Sequence, residues 1–215
     1  MTGIGILESA ALLAALGYLG FTARPPSAPR SLLKTASVAV LAIAALLLSA
    51  SIWLVLGLLL CAVGDFFLSR EGDTAFMGGV GAFALGHLAY VVLFLGHSSS
   101  DLSQIWVLPG LGLVAAFGVL GAMMVLVLAP RAGDLKIPVL LYIPIILAMG
   151  IAATSLTSPA LLWVLPAALA FMTSDVILAF ETFVLPEDHP IRRYTPYLVW
   201  PLYWGAQAGF YLSFS

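Results

Sequence analysis

Charge is what this 215-residue chain lacks most. Asp, Glu, Lys and Arg make up 8% of it, against 62% hydrophobic residues, whereas a soluble domain carries about 25% charged residues. Too few polar side chains remain to cover a water-facing surface, so the chain reads as an integral membrane protein, almost all of it membrane domain. Cysteine is nearly missing too: Cys61 stands alone, which excludes an intrachain disulfide and a multi-cysteine metal site. Of the histidines His87, His97 and His189, only His87 lies deep in a hydrophobic stretch, which is a poor start for a zinc site. No basic tract suggests nucleic acid, and no Gly-x-Ser-x-Gly motif offers a serine nucleophile. The first hydrophobic stretch has no basic segment before it, its one early charge being Glu8, which argues against a cleaved secretory signal. Lipidation signals are lacking, as is the short alternation of barrel strands.

What is present is apolar sequence in eight long stretches, near 2–21, 31–50, 52–69, 75–96, 104–128, 135–154, 159–183 and 196–213. Each is near the length that spans a bilayer as a helix, about 20 residues. Arg24, Arg30 and Lys34 lie in or beside the first connection, Arg70 in the third, Arg131 and Lys136 in the fifth, Arg192 and Arg193 in the seventh. The even-numbered connections and both termini hold no Lys or Arg. Basic residues stay cytoplasmic during insertion. The expectation is an all-α polytopic membrane protein: one domain over 1–215, eight transmembrane helices, both termini on the outer face. Lys34 and Lys136 open the second and sixth stretches, and Gly64-Asp65 in the third has a counterpart in Ser174-Asp175 in the seventh. A parallel duplication of four helices would produce that pattern.

Ionisable groups within the membrane are the informative ones, since a charged Asp at a helix centre costs on the order of 3 kcal/mol. Asp65 and Asp175 are the clear cases, about 6 and 12 Å before the inner ends of their helices. Lys34, Tyr142, Tyr203, Gln207 and His87 fall between about 5 and 18 Å of the same side. Phe76, Gly79, Phe83, His87 and Tyr90 recur at three- and four-residue steps, on one face of the fourth helix. Each group has a plain structural account as well. Asp65 could be a strut paired with Lys34, Asp175 a protonated acid bonded to a carbonyl, and His87 an ordinary interior histidine. Lys34 and Lys136 could simply mark the inner interface; Glu8 and Glu181 could reach interfacial water. Taken together, two carboxylates with Lys, His and Tyr at similar depth favour acid–base chemistry in a pocket open to the cytoplasmic leaflet. A proton-coupled carrier of small molecules or lipids is the competing reading, and a non-catalytic scaffold the third.

At these residues the chain resembles the YhhN family of membrane lysoplasmalogenases. The resemblance is carried by Lys34, Gly64-Asp65, Phe76–Gly79–Phe83–Gly86-His87–Tyr90, Pro138 with Tyr142, and Phe171–Ser174-Asp175–Leu178-Ala179. It implies hydrolysis of the vinyl ether bond of a lysophospholipid in the membrane, without a cofactor, giving a fatty aldehyde and a glycerophospho-ethanolamine or -choline. On that basis Asp65, Asp175, His87 and Tyr142 are the expected catalytic residues. Lys34, Tyr90, Lys136, Ser174, Tyr203 and Gln207 are expected to bind substrate, the lysines holding phosphate with Arg192 or Arg193 as a further partner. The expected location is a bacterial inner membrane.

Overall fold

A computed structural model describes residues 3–215. Eight α-helices coincide with the eight hydrophobic stretches: α1 (Gly3–Leu19), α2 (Ala28–Leu47), α3 (Ile52–Leu68), α4 (Asp73–Leu95), α5 (Gly110–Leu128), α6 (Lys136–Thr154), α7 (Val164–Phe183) and α8 (Thr195–Phe214). Their ends follow local chemistry. Pro25 and Pro26 bar helix after α1. Ser27 then caps α2, its side chain accepting from the Arg30 amide at 3.4 Å, with Pro29 in the first turn. Ser51 caps α3 in the same way, accepting from the Trp53 amide at 3.3 Å. The α2–α3 connection turns through Ser49, whose φ of 57° is left-handed. Two stretches become α-helical later than expected. Short 3-10 turns, Leu102–Trp106 and Pro159–Leu161, precede α5 and α7.

Five helical segments are long and apolar enough to cross a membrane: Ala28–Leu47, Asp73–Leu95, Gly110–Leu128, Gly133–Thr154 and Pro159–Phe183. α1 and α3 are equally apolar but have 17 residues each, about 25 Å of helix. α8 is long enough, with 20 residues, but carries Gln207 and several tyrosines and tryptophans among its apolar side chains.

Consecutive helices pack against one another from α1 to α4 and again from α5 to α8. Between the halves, α4 lies against α6, and α8 against α2 and α3. The closest pair is α3–α4, where glycine removes the side chains that would hold the backbones apart. A Cβ on Gly64 would sit 2.6 Å from the Phe83 ring, and one on Gly86 2.9 Å from Cys61 Sγ. At the opposite end from the basic residues, the α4–α5 connection is laced to the α6–α7 connection. The Asp101 amide donates to the Ser155 carbonyl at 2.8 Å, and the Thr157 amide to that of Ser99 at 3.1 Å. All eight basic residues therefore gather where odd-numbered helices finish and even-numbered ones begin.

Candidate active site

That same end of the bundle holds a cavity of about 590 Å³, to which all eight helices contribute. Its lining reaches from Arg24 and Arg30 at the mouth to Leu147 and Met172 at mid-bundle and goes no further. The volume suits a small-molecule or lipid ligand.

Asp65 and Asp175 both line it. Asp65 stands one turn before the end of α3, and Lys34 lies in the second turn of α2, so the two are level. Lys34 Nζ is 3.3 Å from Asp65 Oδ1, the single ion pair among the described residues. Tyr203 of α8 donates its hydroxyl to Asp65 Oδ2 at 2.6 Å. Asp65 itself is fully buried. Asp175, half-buried, accepts from the Tyr142 hydroxyl of α6 at 2.5 Å. Behind Tyr142, at 3.4 Å, is His87 Nδ1. That nitrogen is 2.6 Å from the Phe83 carbonyl; a carbonyl only accepts, so Nδ1 carries the hydrogen. His87 Nε2 is buried with no hydrogen-bond partner among the described residues. The Phe171 ring stands between the two groups, 4.5 Å from His87 and 5.2 Å from Tyr203. The arrangement is thus paired: each carboxylate receives a phenol from a helix other than its own, and only Asp65 also receives a cation.

Lys34, Asp65, Tyr142, Ser174, Asp175 and Tyr203 all line the cavity, although the Ser174 hydroxyl is spent on the Val199 carbonyl at 3.2 Å, tying α7 to α8. Four of the expected residues do not line it. His87 reaches it only through Tyr142. Tyr90 and Gln207 lie deeper and are fully buried, the Tyr90 hydroxyl of α4 donating to Gln207 Oε1 of α8 at 2.5 Å. Lys136 is exposed: as the first residue of α6 it extends beyond the helix end. These placements do not support direct substrate contacts for Tyr90, Gln207 or Lys136. Glu8, half-buried near the far end of α1 from the basic residues, accepts from the Tyr211 hydroxyl at 2.9 Å. Tyr203, Gln207 and Tyr211 consequently form a buried polar stripe on α8 at four-residue steps, running into the half of the bundle expected to be apolar. Arg24 and Arg30 also line the cavity, although as residues of the first connection they carry only a topology signal in the sequence. Arg30 could have been found there, since it precedes Lys34 by four residues and shares its helix face.

Residues 29–214 match the YhhN family. The chain is 33% identical over 142 residues to proteins named "Lysoplasmalogenase" from Mycobacterium bovis (strain ATCC BAA-935 / AF2122/97) and Mycobacterium tuberculosis (strain CDC 1551 / Oshkosh). Each match covers 63% of this chain and 52% of the relative, so the chain spans about half the length of those curated relatives. No solved structure matches it. With the match running from the start of α2 to the end of α8, the chain belongs to the YhhN family.

Proposed function

We propose that the chain is a membrane hydrolase that cleaves the vinyl ether of a lysoplasmalogen at the Asp65–Asp175 cavity. The observation that carries this is the pair of carboxylates on one cavity with unlike partners: an ammonium and a phenol for Asp65, a phenol alone for Asp175. Asp65 serves as the carboxylate and Asp175 as the acid. In the reaction, Asp175 delivers its proton to the alkenyl carbon remote from oxygen, leaving an oxocarbenium ion at the carbon bearing oxygen. Asp65 faces that cation and takes a proton from the water that adds to it, as paired carboxylates do at glycosidic centres. The hemiacetal collapses to aldehyde and glycerol hydroxyl, the protons return to their starting groups, and one water is consumed. Tyr142, held by Asp175 and His87, fixes the acid's orientation; Tyr203 and Lys34 fix the carboxylate. No cofactor takes part in this scheme.

The same reading makes all eight helices spans, with the basic end cytoplasmic, both termini outside, and the cavity open to the inner leaflet of a bacterial inner membrane. Asp65 on α3 and Asp175 on α7 stand four helices apart, as Lys34 on α2 and Lys136 on α6 do. Two parallel four-helix repeats about an axis along the membrane normal would place them so.

The test is aldehyde release by purified protein from an alkenyl lysolipid, with the acyl lysolipid as control. Aldehyde from the first and no fatty acid from the second is the expected result; fatty acid release, or neither product, would remove the proposal. A proton-coupled carrier has one observation on its side, the polar stripe along α8. Proton-dependent lipid uptake into proteoliposomes without aldehyde formation would favour it.

A further inference from the structure

The mouth of the cavity carries charges for which the bond-breaking scheme has no use. Arg24, Arg30, Arg192, Arg193 and Glu181 all line it, and none of them forms an ion pair among the described residues. Two of the arginines are built in. Arg30 donates from Nη1 to the carbonyl of Ser69, the residue capping the end of α3, at 3.3 Å. Arg192 donates from Nη2 to the carbonyls of Glu181, in the last turn of α7, and of Leu185 just beyond it, the latter at 3.0 Å. Cations at helix C-termini are favourably placed, and each guanidinium is thereby fixed in direction. In both, Nε is buried and has no hydrogen-bond partner among the described residues. A guanidinium presents five N–H groups in a rigid fork suited to phosphate oxygens, and most of these remain free.

The levels agree with a lysolipid standing upright. Arg30 is one turn outside Lys34, about 6 Å nearer the helix end, and Glu181 is about 9 Å beyond Asp175 in the same direction. A lone carboxylate among four guanidiniums would be expected to pair with one of them. Glu181 forms no such pair, although its own carbonyl holds Arg192. Its carboxylate is left for something else in the cavity.

We infer that this rim is a headgroup subsite for a phosphate bearing a cationic amine. Arg30 and Arg192 grip the phosphate and Glu181 takes the ammonium, which makes Glu181 the residue that selects phospho-amine lysolipids over anionic ones. The inference rests on the hydrolase reading for the identity of the ligand, yet it can be measured without turnover.

The probes are three saturated alkyl-ether glycerolipids of one tail length, which have no vinyl ether to cleave. Their heads are phosphoethanolamine, phosphate alone, and a free hydroxyl. Binding is read from the fluorescence of Trp200, which lines the cavity, with Trp200→Phe as the control for signal. Losing the phosphate is expected to weaken binding about tenfold or more, the usual worth of hydrogen bonds to a charged group. Glu181→Gln should weaken the phosphoethanolamine lipid to the level of the phosphate lipid and not weaken the latter. Arg30→Lys and Arg192→Lys keep the charge and lose the fork. They should weaken both phosphate lipids while leaving the hydroxyl lipid unchanged, which also reports an intact fold. Equal binding of all three heads, or equal loss across them in Glu181→Gln, would overturn the inference. So would displacement of the lipid by micromolar inorganic phosphate, which would assign the rim to the free ion. Head selection with no aldehyde from a true alkenyl lipid would instead sink the hydrolase reading and leave the rim standing.

Discussion

Replacing Lys34 by Met strands a fully buried carboxylate. Asp65 is 0% exposed, its ion pair with Lys34 is the only one among the described residues, and without it only the Tyr203 hydroxyl still donates to it. Removing one partner of a buried pair costs about 3–5 kcal/mol; with the Tyr203 bond intact the lower end applies, about 3 kcal/mol. Asp65→Asn should cost less. It strands Lys34, whose side chain is 13% exposed and lies near the cavity mouth, so the loss is that of a charged hydrogen bond, about 1.5–2 kcal/mol. The double variant Lys34→Met/Asp65→Asn leaves no unpaired charge and should lie close to Asp65→Asn alone. Thermal unfolding in nanodiscs is the assay. At about 2–4 °C per kcal/mol for a chain of this length, Lys34→Met should melt roughly 6–12 °C lower than the parent. The order of the variants is the sharper result. Lys34→Met at least as stable as Asp65→Asn, or effects that simply add in the double variant, would mean that losing Lys34 does not strand Asp65.

Tyr142→Phe removes the hydroxyl that orients Asp175 while leaving the acid itself, and should lower kcat by roughly ten- to a hundredfold, no more than the low end of the range for removing an acid–base group, with KM little changed; steady-state aldehyde release checks it. Gly64→Ala drives a methyl into the Phe83 ring at 2.6 Å and should cost about 1–3 kcal/mol of stability, read as a lower Tm. Lys136→Ala changes an exposed side chain outside the cavity and should leave kcat/KM within about twofold, since surface substitutions shift energies by only about 0.5 kcal/mol; a tenfold loss would return Lys136 to the site.

Much of the bundle was legible because hydropathy and cap residues act locally. The eight hydrophobic stretches and the Pro-rich break after α1 follow from composition alone, and segregation of the basic residues separates the two ends. The level of Asp65 against Lys34 was also readable, since depth needs only a residue count and a helical rise. Partner choice across helices was not. Tyr90 and Gln207 lie one turn along the same helices as His87 and Tyr203, yet they pair with one another beyond the cavity. Glu8 meets Tyr211 at the other end of the chain. Such pairings depend on the rotation of each helix about its axis and on the order in which helices pack, which are set by long-range contacts such as the glycine-mediated approach of α3 and α4. The basic residues show the same limit. Topology treats Lys136 and Arg30 alike; the helix face shared with Lys34 singles out Arg30, and only packing shows that Lys136 turns toward water.

Both carboxylates are required by the account, in different roles. The most direct measurement is aldehyde release from an alkenyl lysolipid by the parent, Asp65→Asn and Asp175→Asn proteins, each shown to be folded by its melting curve. Turnover by the parent and a loss of at least about a hundredfold in each variant are expected. Folded Asp175→Asn protein that releases aldehyde at the parent rate would contradict this.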